Sequence, residues 1–310
     1  MLDPRLYQIA VLASLLGYGM GWLAFDITVP RAALLLLTAL GTQAMGDLAE
    51  GRRAVNWRSA LISGLSLCLL LRTNRADLAV LAAVITIAAK FVFRVRGKHI
   101  FNPTNGGIVA MMLMTSQAWV SPGQWGSVAF FAFLMACLGG VVVNRAARSD
   151  VTYAFIAFYC ALLFGRSAYL GEPMTIPLHR LESGALLLFT FFMISDPKTT
   201  PDSRAGRVLF AALVAAGGWY VQFRLFRTNG LLWSLAAFSL AVPLIDWLLP
   251  GAHYSWTNQK ERQHETALVR RGARRDPHLV GAAAAWLLRL LRRQGEYETV
   301  QQGVAGRAGS

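Results

Sequence analysis

Charged residues are scarce in this sequence: they make up 15% of its 310 residues, whereas an average soluble domain carries about 25%. Apolar residues make up 55%, so the chain lacks the polar surface that a water-facing globule of this size needs. This deficit excludes a soluble enzyme, a disordered chain and a collagen-like fibre. The composition indicates an all-α, polytopic membrane protein.

Cysteine and the common catalytic signatures are also missing or rare. The three cysteines lie far apart inside apolar stretches and form no CxxC pair, so the chain alone predicts neither a zinc site nor a four-cysteine iron–sulfur cluster. There is no HExxH, no P-loop, no catalytic-triad signature and no GxGxxG in a βαβ context. The sequence therefore offers no candidate catalytic residue and no candidate metal ligand.

Basic residues exceed acidic ones and give a net charge of +14. Ten of the thirty Lys and Arg residues lie between Lys260 and Arg307, and most of the others lie in short loops between apolar runs. Such a distribution orients a membrane protein and does not favour nucleic-acid binding.

The apolar runs predict the membrane spans. A span needs about 20 apolar residues, fewer if the helix is short or re-entrant. We expect about ten, and Met1–Phe25 is predicted as the first of them rather than as a signal peptide, because no small-residue cleavage site follows it. The predicted spans are Tyr7–Phe25, Ala32–Met45, Ser59–Leu71, Leu78–Phe93, Gly106–Trp119, Ser127–Val143, Val151–Phe164, Ser183–Ser195, Val208–Phe223 and Leu231–Leu249.

Alternating loops divide the basic residues into two sets. The richer set should face the cytoplasm, which predicts a multi-pass protein of the bacterial inner membrane with both termini inside. It holds the basic tail together with Arg5, Arg52, Arg53, Arg58, Arg94, Arg96, Lys98, Arg145, Arg148, Lys198, Arg204 and Arg207. The other set holds Arg31, Arg72, Arg75, Arg166, Arg180, Arg224 and Arg227.

Two domains are predicted from this pattern. Residues 1–255 form the transmembrane domain, and residues 256–310 form a basic cytoplasmic tail. Within the tail, His278–Arg293 predicts a short amphipathic helix on the anionic inner surface. Alternatively, the tail is only a topology anchor.

Two segments interrupt the helical pattern in a similar way. Phe101–Gly107 reads FNPTNGG, and Ile194–Pro201 reads ISDPKTTP. Each has an Asn or Asp directly before a Pro, which opens the backbone, and paired breaks in two halves are typical of a transporter-like binding site. This predicts repeats over about 1–125 and 126–255. Alternatively, both segments are ordinary cytoplasmic loops that cap the following helices.

Two ionisable residues fall near the ends of predicted spans. Lys90 and Asp246 both lie towards the predicted cytoplasmic end, where they could form an ion or charge pair. Alternatively, Lys90 extends its ammonium to the headgroups and no pair forms.

The two interrupted segments resemble the motifs of one membrane-protein family. It comprises the B subunit of the sodium-pumping NADH:quinone oxidoreductase and the D subunit of the Rnf ferredoxin:NAD oxidoreductase. Lys98–Pro103 resembles its FNP segment, and Gly184–Pro197 resembles its signature ending in FFMxTDP. Gly206–Phe210 is similar to its G-R-x-x-F helix start, and the resemblance covers about residues 30–250.

This resemblance implies a fold and a cofactor. The fold is ten transmembrane helices in two five-helix inverted repeats, shared in outline with urea transporters. The activity is flavin-dependent electron transfer, coupled to Na⁺ or H⁺. The family attaches one FMN through a threonine of an SGAT motif, whereas Ser183–Leu186 here reads SGAL. A flavin, FMN or riboflavin, is therefore expected to bind noncovalently.

The same motifs supply the candidate cofactor-binding residues. A flavin ring needs a flat apolar slot and a few amides or hydroxyls at its polar edge. A phosphate could rest at the helix start after Thr200. The candidates are Asn102, Pro103, Thr104, Asn105, Gly106, Gly107, Asp196, Lys198, Thr199, Thr200 and Arg204.

Three functional hypotheses follow. The leading one is an integral membrane component of an electron-transport system that binds flavin or quinone between its halves, in the lipid bilayer with other redox subunits or a soluble electron donor. The alternative is a channel or transporter of the same fold without redox chemistry. The third is a membrane anchor that holds a soluble complex through its basic tail.

Overall fold

The computed structural model describes residues 3–52, 54–95, 97–121 and 149–252, which are mostly helical. The first part contains five helices: α1 Pro4–Gly21, α2 Val29–Ala49, α3 Trp57–Leu70, α4 Ala76–Val92 and α5 Pro103–Met114. The second contains α6 Ser149–Leu170, α7 Thr175–Leu181, α8 Gly184–Leu188, α9 Arg204–Phe223, α10 Gly230–Ser239 and α11 Val242–Leu248. A π-helical turn, Phe189–Met193, continues α8.

Three two-residue strands lie between the helices of the first part, and a fourth follows α5. They are β1 Leu71–Arg72, β2 Arg94–Val95, β3 Lys98–His99 and β4 Trp119–Val120. Strand β1 pairs antiparallel with β4, and β2 pairs antiparallel with β3. The β1–β4 pair therefore joins the chain after α3 to the chain after α5.

Several helices begin where a short polar side chain precedes a proline. Asp3 accepts a hydrogen bond from the backbone of Arg5 at the start of α1, and Thr28 caps α2 by accepting from the backbone of Arg31. Asn102 accepts from the backbone N–H of Asn105 at the start of α5. Such residues satisfy a free N–H of the first turn, and proline is preset for that turn.

The described helices agree with the predicted spans except α7, which lies between two of them. Each predicted span overlaps a helical segment except Ser127–Val143, which lies outside the described residues, as do Cys137, Arg53, Arg96, Arg145, Arg148 and the tail after residue 252. Among the described residues, three helices are long and apolar enough to cross a membrane (α2, α6 and α9), and the pair α10–α11, bent by 52°, makes up to four. The ten-helix count and the inverted repeats stay predictions.

The described helices pack as two groups. In the first, α3 contacts α1 and α2, and α4 contacts α2 and α5; in the second, α9 lies between α6 and α10. Helix α5 contacts α10 and so joins the groups. A close approach within the first group is at Gly107, where an added Cβ atom would overlap Oγ1 of Thr86.

Polar contacts link residues that are predicted to lie on the same side of the membrane. Arg5 donates to Asn56 at 3.1 Å, and Arg94 pairs with Glu50 at 2.6 Å. From the other set, Arg31 donates to the backbone carbonyls of Thr73, Asn74 and Arg75. These contacts agree with the predicted alternation of loops, while the assignment of either end to the cytoplasm stays a prediction.

Candidate functional site

The two proline-interrupted segments meet in the structure. Nδ2 of Asn102 donates to the carbonyl of Met193 and to Oδ2 of Asp196, both at 3.3 Å. The residues that directly precede Pro103 and Pro197 are thus in contact, although 94 positions separate them. We call residues 101–107 and 194–201 together the junction.

The first segment of the junction uses its polar groups inside the protein. Thr104 donates to the carbonyl of Ser63 at 3.4 Å, and Nδ2 of Asn105 donates to the carbonyl of Leu232 at 3.2 Å. Both side chains are buried, as are Pro103 and Gly107. Gly106 faces Phe101, whose Cβ would lie 3.1 Å from a Cβ at position 106. These contacts fasten α5 to α3 and α10.

The second segment folds around Asp196. Its carboxylate accepts from the backbone N–H of Lys198 at 3.0 Å. The hydroxyls of Thr199 and Thr200 donate to its backbone carbonyl at 3.3 and 3.1 Å. Ser203 caps α9, and Arg204 is exposed. The two threonine hydroxyls predicted for a phosphate therefore have partners within their own turn.

The predicted pairing of Lys90 with Asp246 is wrong, because each has another partner. Nζ of Lys90 donates to the carbonyl and to the hydroxyl of Ser59, both at 3.0 Å. Asp246 pairs with Lys98 at 2.7 Å and accepts from the backbone N–H of Asp202 at 2.7 Å. Lys98 also pairs with Asp202 at 3.1 Å. Lys98 is placed by the β2–β3 pair, which the sequence did not predict.

A second ion pair lies beside this one. Arg207 of α9 binds the carboxylate of Asp150, at the start of α6, at 2.5 Å, and it donates to the carbonyl of Asp202 at 2.7 Å. An ion pair with little exposure is costly to break, because the remaining charge loses its partner. Lys98 and Arg207 thus connect the chain around Asp202 to β3, to the start of α6 and to α11.

His99, next to Lys98, is partly buried beside several cations. Burial, together with the charges of Arg94, Lys90 and Lys198, lowers the pKa of His99 to about 4. Its Nδ1 atom is buried and has no hydrogen-bond partner in the described part of the chain. Burial also lowers the pKa of Lys198, against the opposing charge of Asp196. His99 is therefore neutral at physiological pH.

A cavity of about 600 Å³ opens on the other side of the junction. Met193 and Leu232 line it, and these are the residues whose carbonyls accept from Asn102 and Asn105. The cavity extends along Leu70 of α3, Tyr159 of α6 and Gln222 of α9. The sequence did not predict it, although Ser183, Ala185 and Leu186 of the SGAL segment are among its lining residues.

Apolar and polar side chains both line the cavity. Leu70, Phe189 and Met193 are buried lining residues. The polar lining residues include Arg180, whose guanidinium lies 4.8 Å from the centre of the Phe223 ring. A concave pocket of this volume that combines apolar walls with polar groups is typical of sites for small organic ligands.

Comparisons with known proteins agree with the motifs. Residues 117–255 match the family described as the NQR2, RnfD, RnfE family. This range includes the second motif and lies after the FNP motif.

The similar curated proteins are each named as the D subunit of an ion-translocating oxidoreductase complex. The one from Erwinia tasmaniensis is 30% identical over 149 residues, which are 47% of this chain and 37% of that protein. The one from Cronobacter sakazakii is 34% identical over 151 residues, which are 49% of this chain and 39% of that protein. The one from Escherichia coli strain K12 is 30% identical over 130 residues, 40% of this chain and 34% of that protein.

The matched part of the chain thus spans less than two fifths of the length of each of these relatives. The resemblance predicted from Lys98–Pro103 and Gly184–Pro197 is confirmed, and the chain is similar to the D subunits of ion-translocating oxidoreductase complexes.

Proposed function

We propose that this protein is the membrane-embedded component of an electron-transport system and that it binds a flavin or a quinone noncovalently in the cavity. The similar proteins are subunits of oxidoreductase complexes, so other redox subunits or a soluble donor are the proposed partners. The proposal places the chain in the bacterial inner membrane with both termini in the cytoplasm. The predicted ten helices in two inverted repeats remain part of it.

The single observation that carries the ligand proposal is the cavity next to the junction. Its volume of about 600 Å³ suits a ring system of several fused rings. Phe189, Leu70 and Met193 supply apolar walls, of which the Phe189 ring is flat, and Gln222 and Tyr159 supply polar groups. A bound flavin or quinone would accept and donate electrons, while these side chains bind the ring and exclude water from it.

The SGAL segment supports noncovalent binding. Leu186, the residue at which SGAL differs from SGAT, lines the cavity, and its hydrocarbon side chain has no oxygen to form a phosphate ester. The cavity is therefore proposed to hold its ligand by shape and hydrogen bonds alone.

The junction residues are proposed to shape the cavity rather than to touch the ring. Asn102 and Asn105 hold the backbone at Met193 and Leu232, and Asp196 in turn accepts from Asn102. Lys198 and Arg204 stay candidates for binding an anion outside the cavity. Coupling to Na⁺ or H⁺ movement is part of the proposal and depends on the resemblance alone.

An absorbance spectrum of the detergent-purified protein, before and after acid precipitation, tests the proposal. Flavin should be supplied throughout purification. We expect flavin bands that move to the supernatant on precipitation. Bands that stay in the pellet would contradict noncovalent binding. A colourless protein that also binds no added quinone would overturn the proposal and favour the channel or transporter, which solute flux in proteoliposomes without a redox partner would then test.

A further inference from the structure

One side-chain pair in the cavity wall has a fixed orientation. The hydroxyl of Tyr159 donates to Oε1 of Gln222 at 3.0 Å, and both residues line the cavity. Tyr159 is only 4% exposed, and its ring stacks on Phe155 with centroids 5.5 Å apart and planes 11° apart. Phe155 itself is fully buried. The tyrosine hydroxyl is therefore held in a fixed position against the glutamine amide.

That orientation leaves the amide nitrogen of Gln222 without a partner. Because Oε1 accepts from Tyr159, the two N–H groups of Nε2 are turned away from it, and they make no hydrogen bond within the described part of the chain. The wall of the cavity includes the hydrocarbon of Leu70, Phe189 and Met193. A donor without an acceptor costs free energy unless a ligand or water accepts from it.

We propose that Gln222 determines ligand specificity by donating a hydrogen bond to a ring carbonyl, and that Tyr159 is its positioning residue. This inference rests on the proposed function, since it concerns the ligand of the same cavity. The ligand class is a planar ring that carries carbonyl oxygens. That chemistry is shared by the pyrimidine edge of a flavin and by a quinone.

The Tyr159–Gln222 pair should also affect the reduction potential of the bound ring. Reduction places negative charge on the ring carbonyls, and a neutral N–H donor stabilises that charge. Hydrogen bonds to a redox group are one of the ways in which a protein sets its potential. Removing the donor should lower both the affinity and the reduction potential, whereas a purely structural role would change neither spectrum nor potential.

The test is a titration of the full-length protein in detergent with riboflavin, FMN and menadione, each alone. The variants are Gln222→Leu, which removes the donor, and Tyr159→Phe, which frees the amide to rotate. Tyr169→Phe is the matched control, because Tyr169 lies on the same helix and is 88% exposed. Dissociation constants, the absorption maximum of the bound ring and its reduction potential are measured, with thermal unfolding as the check on folding.

We expect Gln222→Leu to weaken binding about 5- to 10-fold, the value of one hydrogen bond, to lower the potential and to shift the absorption maximum. Tyr159→Phe should weaken binding about 2- to 3-fold, and Tyr169→Phe should change nothing. Tighter binding of the flavins or of menadione identifies which carbonyl ring is the ligand. Wild-type protein that binds none of the three overturns the proposed function and this inference together. Wild-type binding that Gln222→Leu leaves unchanged overturns this inference alone.

Discussion

The junction and the cavity lie next to each other, yet they differ in how their polar side chains are paired. At the junction, Asn102 and Thr104 bond to other parts of the protein and Thr200 bonds within its own turn, although the buried Oδ1 of Asn105 has no partner among the described residues. In the cavity, the amide nitrogen of Gln222 has no protein partner among the described residues. A polar group that is satisfied internally holds the fold together, whereas an unsatisfied one facing a cavity is available to a ligand. On the proposed function, the proline motifs therefore frame the site and do not contact its ligand.

The largest expected effect tests the ion pairs beside the junction. Lys98→Met removes the ammonium that pairs with the carboxylates of Asp202 and Asp246, whose side-chain exposures are only 12% and 17%. We expect the free energy of unfolding to fall by about 3–5 kcal/mol, measured by thermal or denaturant unfolding in detergent. The double variant Lys98→Met/Asp246→Asn should recover part of this loss. Lys198→Met is the control, and an equal loss there would contradict the assigned pairing.

The next test breaks the contact between the two interrupted segments. Asn102→Ala removes the cap of α5 and both donations from Nδ2, so we expect a loss of about 2–4 kcal/mol in unfolding free energy. Asn102→Asp keeps the cap but places a carboxylate beside Asp196, and it should also destabilise. Ligand affinity should fall in both because the cavity floor moves. Stability equal to wild type in Asn102→Asp would mean that the Asn102–Asp196 contact contributes nothing.

A pH series tests the neutral histidine at the edge of the junction. The pKa of His99 is lowered, chiefly by burial, to about 4, below the ordinary value of about 6.5, so the unfolded state binds the proton first as the pH falls. The stability that neutral His99 provides is therefore complete above about pH 6.5 and is lost towards pH 4, by up to about 1.4 kcal/mol per pH unit.

Unfolding midpoints at about pH 7.5, 6.5, 5.5 and 4.5 measure this effect across the range between the two pKa values. His99→Gln should flatten the dependence, whereas exposed His179→Gln should leave it as in wild type. A wild-type midpoint that stays constant over the whole series would contradict the burial of a neutral ring.

The smallest expected effect concerns Arg204, which belongs neither to the junction nor to the cavity lining. Arg204 is exposed at the start of α9, away from the residues that line the cavity. Arg204→Gln should change flavin or quinone affinity by less than about 2-fold, since an exposed charge contributes little. Fluorescence quenching of the bound ring measures this. A loss of affinity of tenfold or more would instead support the anion-binding contact that the sequence predicts at the start of α9.

The sequence predicted most of the helices and the two segments of the junction, for identifiable physical reasons. Asn102 before Pro103 is a local signal, because capping and the fixed φ of proline act within a few residues. Apolar runs likewise reflect the local requirement to bury backbone in helices. These signals located both segments of the junction and the helices of the described residues except α7.

The pairings and the cavity could not be predicted in the same way. Whether Asp246 meets Lys90 or Lys98 depends on the β2–β3 pair, whose strands are two residues long and carry no clear periodicity. The cavity is lined by single residues from distant helices, such as Leu70, Tyr159 and Gln222. None of these stands in a motif, so only their three-dimensional arrangement shows that they face one space.

The close approach of α4 and α5 limits which amino-acid substitutions this protein tolerates. Position 107 admits no side chain at all, since even the methyl of alanine would overlap Oγ1 of Thr86. At Gly106 a methyl would come within 3.1 Å of Phe101, and at Gly17 it would meet nothing within 4 Å. Across a population of variants, codon 107 should therefore be almost invariant, codon 106 sparingly variable and codon 17 free to drift. The two adjacent glycines of the FNPTNGG motif would thus record different selective pressures.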